Sequence, residues 1–235
     1  MSFWWVVVGF VLCIAVAYRA LLTFLRAHAA RIQIDETVPF EQISSDYAKT
    51  LLVLGDSTAV GVGASKPEES VAGRLAAHLG ATYVENRAAS GAATEDLKVQ
   101  MDHAARRTYD VILIQIGGND IIMLRSAKKS ASALDLALME LPEAKQVYLM
   151  SAGNVGGATT FPLLVRVFHT WSTKAFHSWF SKVAKRRGIT YVNLYEPRSR
   201  DLFISESGRY LSADGLHPSS EGYALWFEKL RTYLT

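Results

Sequence analysis

Cysteine is almost absent from this chain: Cys13 is the only one in 235 residues. A single thiol excludes an intrachain disulfide framework and a CxxC metal site. No Gly-Lys-Ser/Thr follows a glycine turn, which excludes a phosphate-cradling P-loop. No histidine has acidic or cysteine neighbours at a spacing such as H-E-x-x-H, so neither a metal nor another cofactor is expected. A strong excess of one charge is also missing, with 25 basic against 22 acidic residues and a net charge of +3. Basic residues do gather at Lys182, Lys185, Arg186 and Arg187, and at Arg125, Lys128 and Lys129. No aromatic-interleaved basic stripe accompanies them. They read as solvated helix faces, and nucleic acid is not an expected partner. Internal repeats and low-complexity segments are absent too.

What is present is the composition of a folded α/β domain. Half of the residues are hydrophobic and 20% are charged, which excludes intrinsic disorder. The length suits one such domain, and two would be cramped. Short apolar runs predict strands at 51–54, 82–86, 110–116, 146–150 and 190–194. Longer amphipathic stretches predict helices near 68–79, 94–106, 127–140, 167–187 and 219–233. Pro67 and Gly80 bracket the first of these as start and stop signals. Strongly apolar strands alternating with helices predict a three-layer α/β/α sandwich with a five-stranded, parallel, doubly wound sheet and right-handed crossovers. Ligands bind such sheets beyond the carboxyl ends of the strands.

The N-terminus reads differently. From Phe3 to Tyr18 there is no charged residue, and after Arg19 an apolar pattern resumes to Leu25. A helix needs about 20 residues to cross a hydrocarbon core of about 30 Å. Residues 3–23 would suffice if Arg19 snorkels to the interface. Trp4, Trp5 and Tyr18 suit interfacial belts. The predicted organisation is therefore a hydrophobic N-terminal helix at 1–26 acting as a single-pass membrane anchor. A polar connector at 27–48 and a catalytic domain at 49–235 follow it. Ala15-Val16-Ala17 offers a rival signal-cleavage site, but no basic residue precedes the apolar run. Arg19, Arg26 and Arg31 follow the span, which by the positive-inside rule places the domain on the cytoplasmic side, with the opposite side as the alternative.

The chemistry concentrates in four short segments. Directly after Leu51-Leu52-Val53-Leu54 comes Gly55-Asp56-Ser57. Taken alone it is a turn that caps the next helix. After the predicted strand at 110–116 comes Gly117-Gly118-Asn119-Asp120, and after Asn86 comes Arg87-Ala88-Ala89-Ser90-Gly91. Each places a backbone or amide donor at a strand's carboxyl end. Near the C-terminus stands Asp214-Gly215-Leu216-His217-Pro218. Serine is a poor nucleophile unless a positioned imidazole takes its proton, and the imidazole works best with a carboxylate fixing its tautomer. The combination points to nucleophilic acyl transfer.

In these four blocks and their order the chain resembles the SGNH (GDSL-type) hydrolases, over residues 54–218. The resemblance implies a flavodoxin-like sandwich and a carboxylic ester hydrolase. It implies Ser57 as nucleophile, His217 as general base and Asp214 as its orienting partner. It assigns an oxyanion hole to Ser57 N–H, Gly91 N–H and the Asn119 amide, with no metal. Thr58 stands where the family name has Leu, and Ala88 where a Gly is usual.

Substrate is read from Gly153–Thr160, a loop leading into Phe161, Phe168, Trp171, Phe176, Trp179 and Phe180. An apolar lid there suits a lipid or fatty-acyl ester, as in a lysophospholipase, although aromatics at helical spacing also pack onto sheets. Acyltransferase activity and short-chain or carbohydrate acetylester hydrolysis stay open, as does a non-catalytic membrane-tethered binding domain. His169 and His177 lie in the same stretch, within reach of the cleft; His78 and His103 read as surface residues and His28 as a neighbour of the anchor. Nothing in the sequence sets an oligomeric state.

Overall fold

The computed structural model describes residues 3–234; residues 1, 2 and 235, which the expected anchor and catalytic domain include, lie outside it. In chain order the elements are α1 (Phe3–Glu36), β1 (Thr50–Gly55), α2 (Ser57–Val60), α3 (Val71–Leu79), β2 (Tyr83–Asn86), α4 (Leu97–Asp102), β3 (Thr108–Gln115) and α5 (Gly118–Ile122). Then come α6 (Ala127–Ala137), β4 (Glu143–Met150), α7 (Leu163–Arg187), β5 (Thr190–Val192), α8 (Leu202–Ser205), α9 (Ser207–Tyr210) and α10 (Ser220–Arg231). All strand pairs are parallel, in the order β2-β1-β3-β4-β5.

The alternation of side chains along each strand builds two cores. On one face Leu51, Val53, Val111 and Leu113 pack with Val71 and Leu75 of α3 and Tyr223 and Leu230 of α10. On the other, Leu52, Leu54, Ile112 and Ile114 pack with Met101 of α4, Leu134 of α6 and Phe176 and Phe180 of α7. Because both faces are covered, every residue of β1 is buried, which explains its unbroken apolar run. The order reverses at β1, which pairs with β2 on one side and β3 on the other. The crevice between the carboxyl ends of β1 and β3 is thus the topological switch point where such folds place ligands.

Element boundaries shift from the predicted ones where pairing decides them. β4 begins at Glu143 because Thr108 pairs there. β5 stops at Val192, where its partner β4 ends at Met150. The helix expected over 94–106 divides into a 3₁₀ turn, Thr94–Asp96, and α4.

The N-terminal expectation is corrected. Among the described residues, no helix is long and apolar enough to cross a membrane. The membrane localisation by a single-pass anchor, and the membrane as partner through this helix, therefore do not stand. The physical reason is length: the uncharged residues 3–18 advance about 24 Å at 1.5 Å each, against the roughly 30 Å to be crossed. Extending the span required Arg19, whose side chain lies outside the described ones. The helix also runs on to Glu36 through Arg26, Arg31 and Asp35, so its second half occupies part of the segment expected as connector. Beyond it, Gln42 forms an antiparallel bridge with Val84 of β2.

Candidate active site

The turn that follows β1 is built around a glycine. Gly55 has φ +138°, and a Cβ there would lie 1.9 Å from the Gln115 carbonyl oxygen. Only glycine lets β1 end this close to β3. Asp56 then caps α2, its Oδ1 accepting from Thr58 N–H at 2.9 Å and from the Thr58 hydroxyl at 2.7 Å. Its Oδ2 accepts from Gly118 N–H at 3.3 Å, tying the β1 turn to the β3 turn. Burial pushes the Asp56 carboxyl above its ordinary value, against these bonds and the pull of His217.

Ser57 therefore opens α2 at the crevice. Its Oγ lies 2.8 Å from Nε2 of His217. Nδ1 of His217 lies 2.5 Å from Oδ2 of Asp214. The other Asp214 oxygen accepts from Leu216 N–H at 2.7 Å, His217 N–H at 3.0 Å and the Ser212 hydroxyl at 2.8 Å. Burial raises the Asp214 pKa, but the His217 bond and charge and the two backbone donors outweigh it and leave the carboxyl below its ordinary value. With the carboxylate fixed at Nδ1, Nε2 faces the serine as a proton acceptor. An imidazole so placed can deprotonate the hydroxyl as it attacks a carbonyl carbon.

The loop carrying this pair is held at both ends. Leu211 and Pro218 form an antiparallel bridge, and Ser212 N–H donates to His217 O at 2.8 Å. Gly63, at φ +100°, lets the loop approach the segment after α2, since a Cβ there would lie 2.2 Å from the Pro218 carbonyl oxygen. Ser219 then caps α10 through Gly222 N–H at 3.2 Å.

Two further arms reach the same crevice. Asn119, in the first turn of α5, donates from Nδ2 to Ala92 O at 2.9 Å and has a second N–H on that nitrogen. Gly91 lies beside it on the wall of the same cavity. No hydrogen bond to another part of the described chain occupies the backbone N–H of Ser57 or Gly91. All five residues singled out in the sequence, Ser57, Gly91, Asn119, Asp214 and His217, thus converge on one place.

Other residues hold these arms and had no pattern to mark them. The Gln100 carboxamide accepts from Gly55 N–H at 2.7 Å and donates to Gly55 O at 2.8 Å. Asp120, buried behind Asn119, accepts from Thr94 N–H and the Thr94 hydroxyl at 2.9 Å each and from Ser130 at 2.7 Å. That locks the β3 turn to the segment after Gly91.

The cavity at the crevice measures about 430 Å³ and is walled mainly by apolar side chains, among them Val155, Leu194, Leu202, Leu211 and Trp226. The 153–160 loop forms part of its wall through Gly153, Asn154, Val155 and Ala158. His177 lies beneath that loop. Its Nε2 is 2.9 Å from Ala152 O and its Nδ1 meets the Tyr191 hydroxyl. Burial pulls its pKa down to about 4. His169 stacks on Phe161, while His78 and His103 are exposed. Of the aromatics after the loop, Phe176 and Phe180 pack onto the sheet and Phe168 and Trp171 face outward.

Comparisons with known proteins bear on the family and the fold. A GDSL-like esterase of Mycobacterium tuberculosis is 28% identical over 186 residues, covering 74% of this chain; the chain spans 58% of that relative's length. Two solved structures share the fold at low identity. Phospholipase A1 from Streptomyces albidoflavus superposes with a TM-score of 0.58 at 18% identity, over 80% of this chain and all of that one. The lipase/acylhydrolase from Enterococcus faecalis gives 0.57 at 20%, over 79% and 94%. The model of the GDSL-like lipase/acylhydrolase family matches residues 53–225, and the chain belongs to that family.

Proposed function

We propose that residues 49–235 form a serine hydrolase that cleaves carboxylic esters through an acyl-enzyme intermediate. Ser57 is the nucleophile in this reading. As its Oγ bonds to the ester carbonyl carbon, His217 Nε2 takes the hydroxyl proton, and Asp214 stabilises the imidazolium. The carbonyl oxygen becomes the oxyanion, received by the N–H groups of Ser57 and Gly91 and the Asn119 amide. Collapse of the tetrahedral species expels the alcohol, which takes the proton from His217. Water then attacks the acyl-enzyme by the same steps, releasing the acid and restoring Ser57.

The observation that carries the proposal is the unbroken contact from Ser57 Oγ to His217 at 2.8 Å and on to Asp214 at 2.5 Å. The family and the mycobacterial esterase support the reaction class. The apolar cavity beside Ser57 favours an ester with an apolar limb.

A fluorophosphonate probe tests the proposal by forming a phosphonyl ester at the activated serine. Wild-type protein should label at Ser57 and hydrolyse p-nitrophenyl butyrate, and Ser57→Ala should do neither. Equal labelling of the two proteins would overturn the reading.

A further inference from the structure

The cavity does not stop at the catalytic residues. From Ser57 at the end of β1 its wall continues through Ala152 after β4 to Leu194 and Glu196 after β5, and to Trp226 and Lys229 of α10. It therefore crosses the carboxyl ends of β1, β3, β4 and β5. Three interstrand steps amount to about 14 Å.

The character of the wall changes at the far end. There Lys229 Nζ meets Glu196 Oε1 at 3.0 Å, with side chains 42% and 39% exposed. Arg200, also exposed, lies on the same wall. An apolar chain laid along the cavity is covered mainly by leucine, valine and tryptophan, with the buried Asp201 on the same wall, until it reaches these solvated groups. Methylene groups beyond that point meet water and charge and gain no burial.

We propose that this cavity selects medium-chain acyl groups, and that the Glu196–Lys229 pair marks the length at which selection ends. The proposal rests on the esterase reading above and names its substrate class. An extended chain advances roughly 3.5 Å per three bonds, so 14 Å corresponds to about twelve bonds. With some curvature around the wall, the preferred acyl group has roughly 8 to 12 carbons. The ion pair is the specificity-determining element because it is the solvated charge pair on the wall beyond β5, whereas Asp201 on the same wall is buried. Its partial exposure makes it replaceable without disturbing the core.

The test measures kcat/KM for p-nitrophenyl esters from acetate to palmitate, each below its solubility limit. It compares wild type, Ser57→Ala and the double variant Glu196→Leu/Lys229→Met. In wild type the value should climb about fourfold per added methylene, the worth of burying one, and level off or fall between about 8 and 12 carbons. In the double variant the climb should continue, raising the palmitate-to-decanoate ratio about tenfold or more. A wild-type optimum at acetate or butyrate overturns the proposal, and so does an unchanged ratio in a folded double variant. The wild-type profile decides by itself if the double variant does not fold. Absence of Ser57-dependent turnover at every chain length overturns the esterase reading itself.

Discussion

Gln100 grips Gly55 at both of its backbone groups, accepting from its N–H at 2.7 Å and donating to its C=O at 2.8 Å. It takes the place that a further strand partner would occupy just before Ser57. Gly55 sits at φ +138°, a conformation with little intrinsic preference to persist. Gln100→Ala would leave the buried Gly55 N–H without this partner, at about 1–3 kcal/mol, while the Gly55 C=O keeps the Ala89 N–H at 3.1 Å. It would also loosen the turn that aims Ser57. The expected outcome is a lower melting temperature together with a kcat reduced about tenfold or more and a KM nearly unchanged, since misplacement of a reacting group acts on the chemical step. Equal stability and equal kcat in the variant would show that the turn holds without this grip.

Asp214→Asn separates geometry from charge at the candidate triad. The asparagine oxygen can still accept from Leu216 and His217 N–H, so the loop should keep its shape. Its NH₂ group, however, would face Nδ1 of His217, turning that nitrogen into an acceptor and placing the proton on Nε2, opposite Ser57. The imidazole could then not take the serine proton, and kcat should fall by about 10³–10⁴ with little change in Tm. The depressed pKa of Asp214 also has a stability consequence. Its contribution is present above the unfolded value of about 3.8 and is lost as pH falls through the lower folded value. The variant should therefore show a flatter stability profile on the acid side of that value, measured by thermal melts.

Asn119→Ala probes the oxyanion arm. If the side-chain amide stabilises the developing charge, its removal should lower kcat by about 10²–10³ while KM moves little. The Ser57 hydroxyl would keep its imidazole partner, so fluorophosphonate labelling should slow without vanishing. Retention of full kcat would take Asn119 out of the proposed site.

Much of this arrangement was legible in the chain because the signals are local. Leu51–Leu54 and Val111–Ile116 are apolar runs short enough for strands and too unbroken for half-exposed ones, and they form the centre of the sheet. Ser57, Asn119, Asp214 and His217 each stand in a short segment whose neighbours explain the turn, Ser57 and Asn119 at the ends of β1 and β3 and the other two in the loop before α10, so their convergence could be anticipated. Gln100 and Asp120 could not be found in that way. Each acts on a residue 26–45 positions away, and a glutamine inside an amphipathic helix has no sequence feature that separates a buried clamp from a surface side chain. The N-terminal reading failed for a related reason. Apolar composition over sixteen positions suggested a span, but the length of a crossing is a physical threshold that Arg19 interrupts. Helix α1 also continues past the boundary at which the polar residues had suggested a connector.

Asp201 offers a prediction that depends on sign. It caps α8, its Oδ1 accepting from Phe203 N–H at 3.0 Å, while its Oδ2 is buried on the cavity wall without a hydrogen-bond partner. Burial raises its pKa to about 6, with Glu196 adding to the rise and the Phe203 N–H and Asn154 opposing it. The folded state therefore binds its proton more tightly than the unfolded chain, whose value is 3.8. Below about 4 both states are protonated and no penalty arises. As pH climbs from about 4 to about 6 the unfolded chain releases the proton first, so stability falls through that window. Above about 6 the penalty is constant, at most about 3 kcal/mol. Asn is as good an N-cap as Asp, so Asp201→Asn should keep α8 in place while removing the buried charge. Thermal melts from pH 4 to pH 8 should then show the variant equal to wild type at the acid end and several degrees more stable at pH 8. A difference independent of pH would mean that the Asp201 carboxyl titrates at its ordinary value, with its second oxygen reached by water.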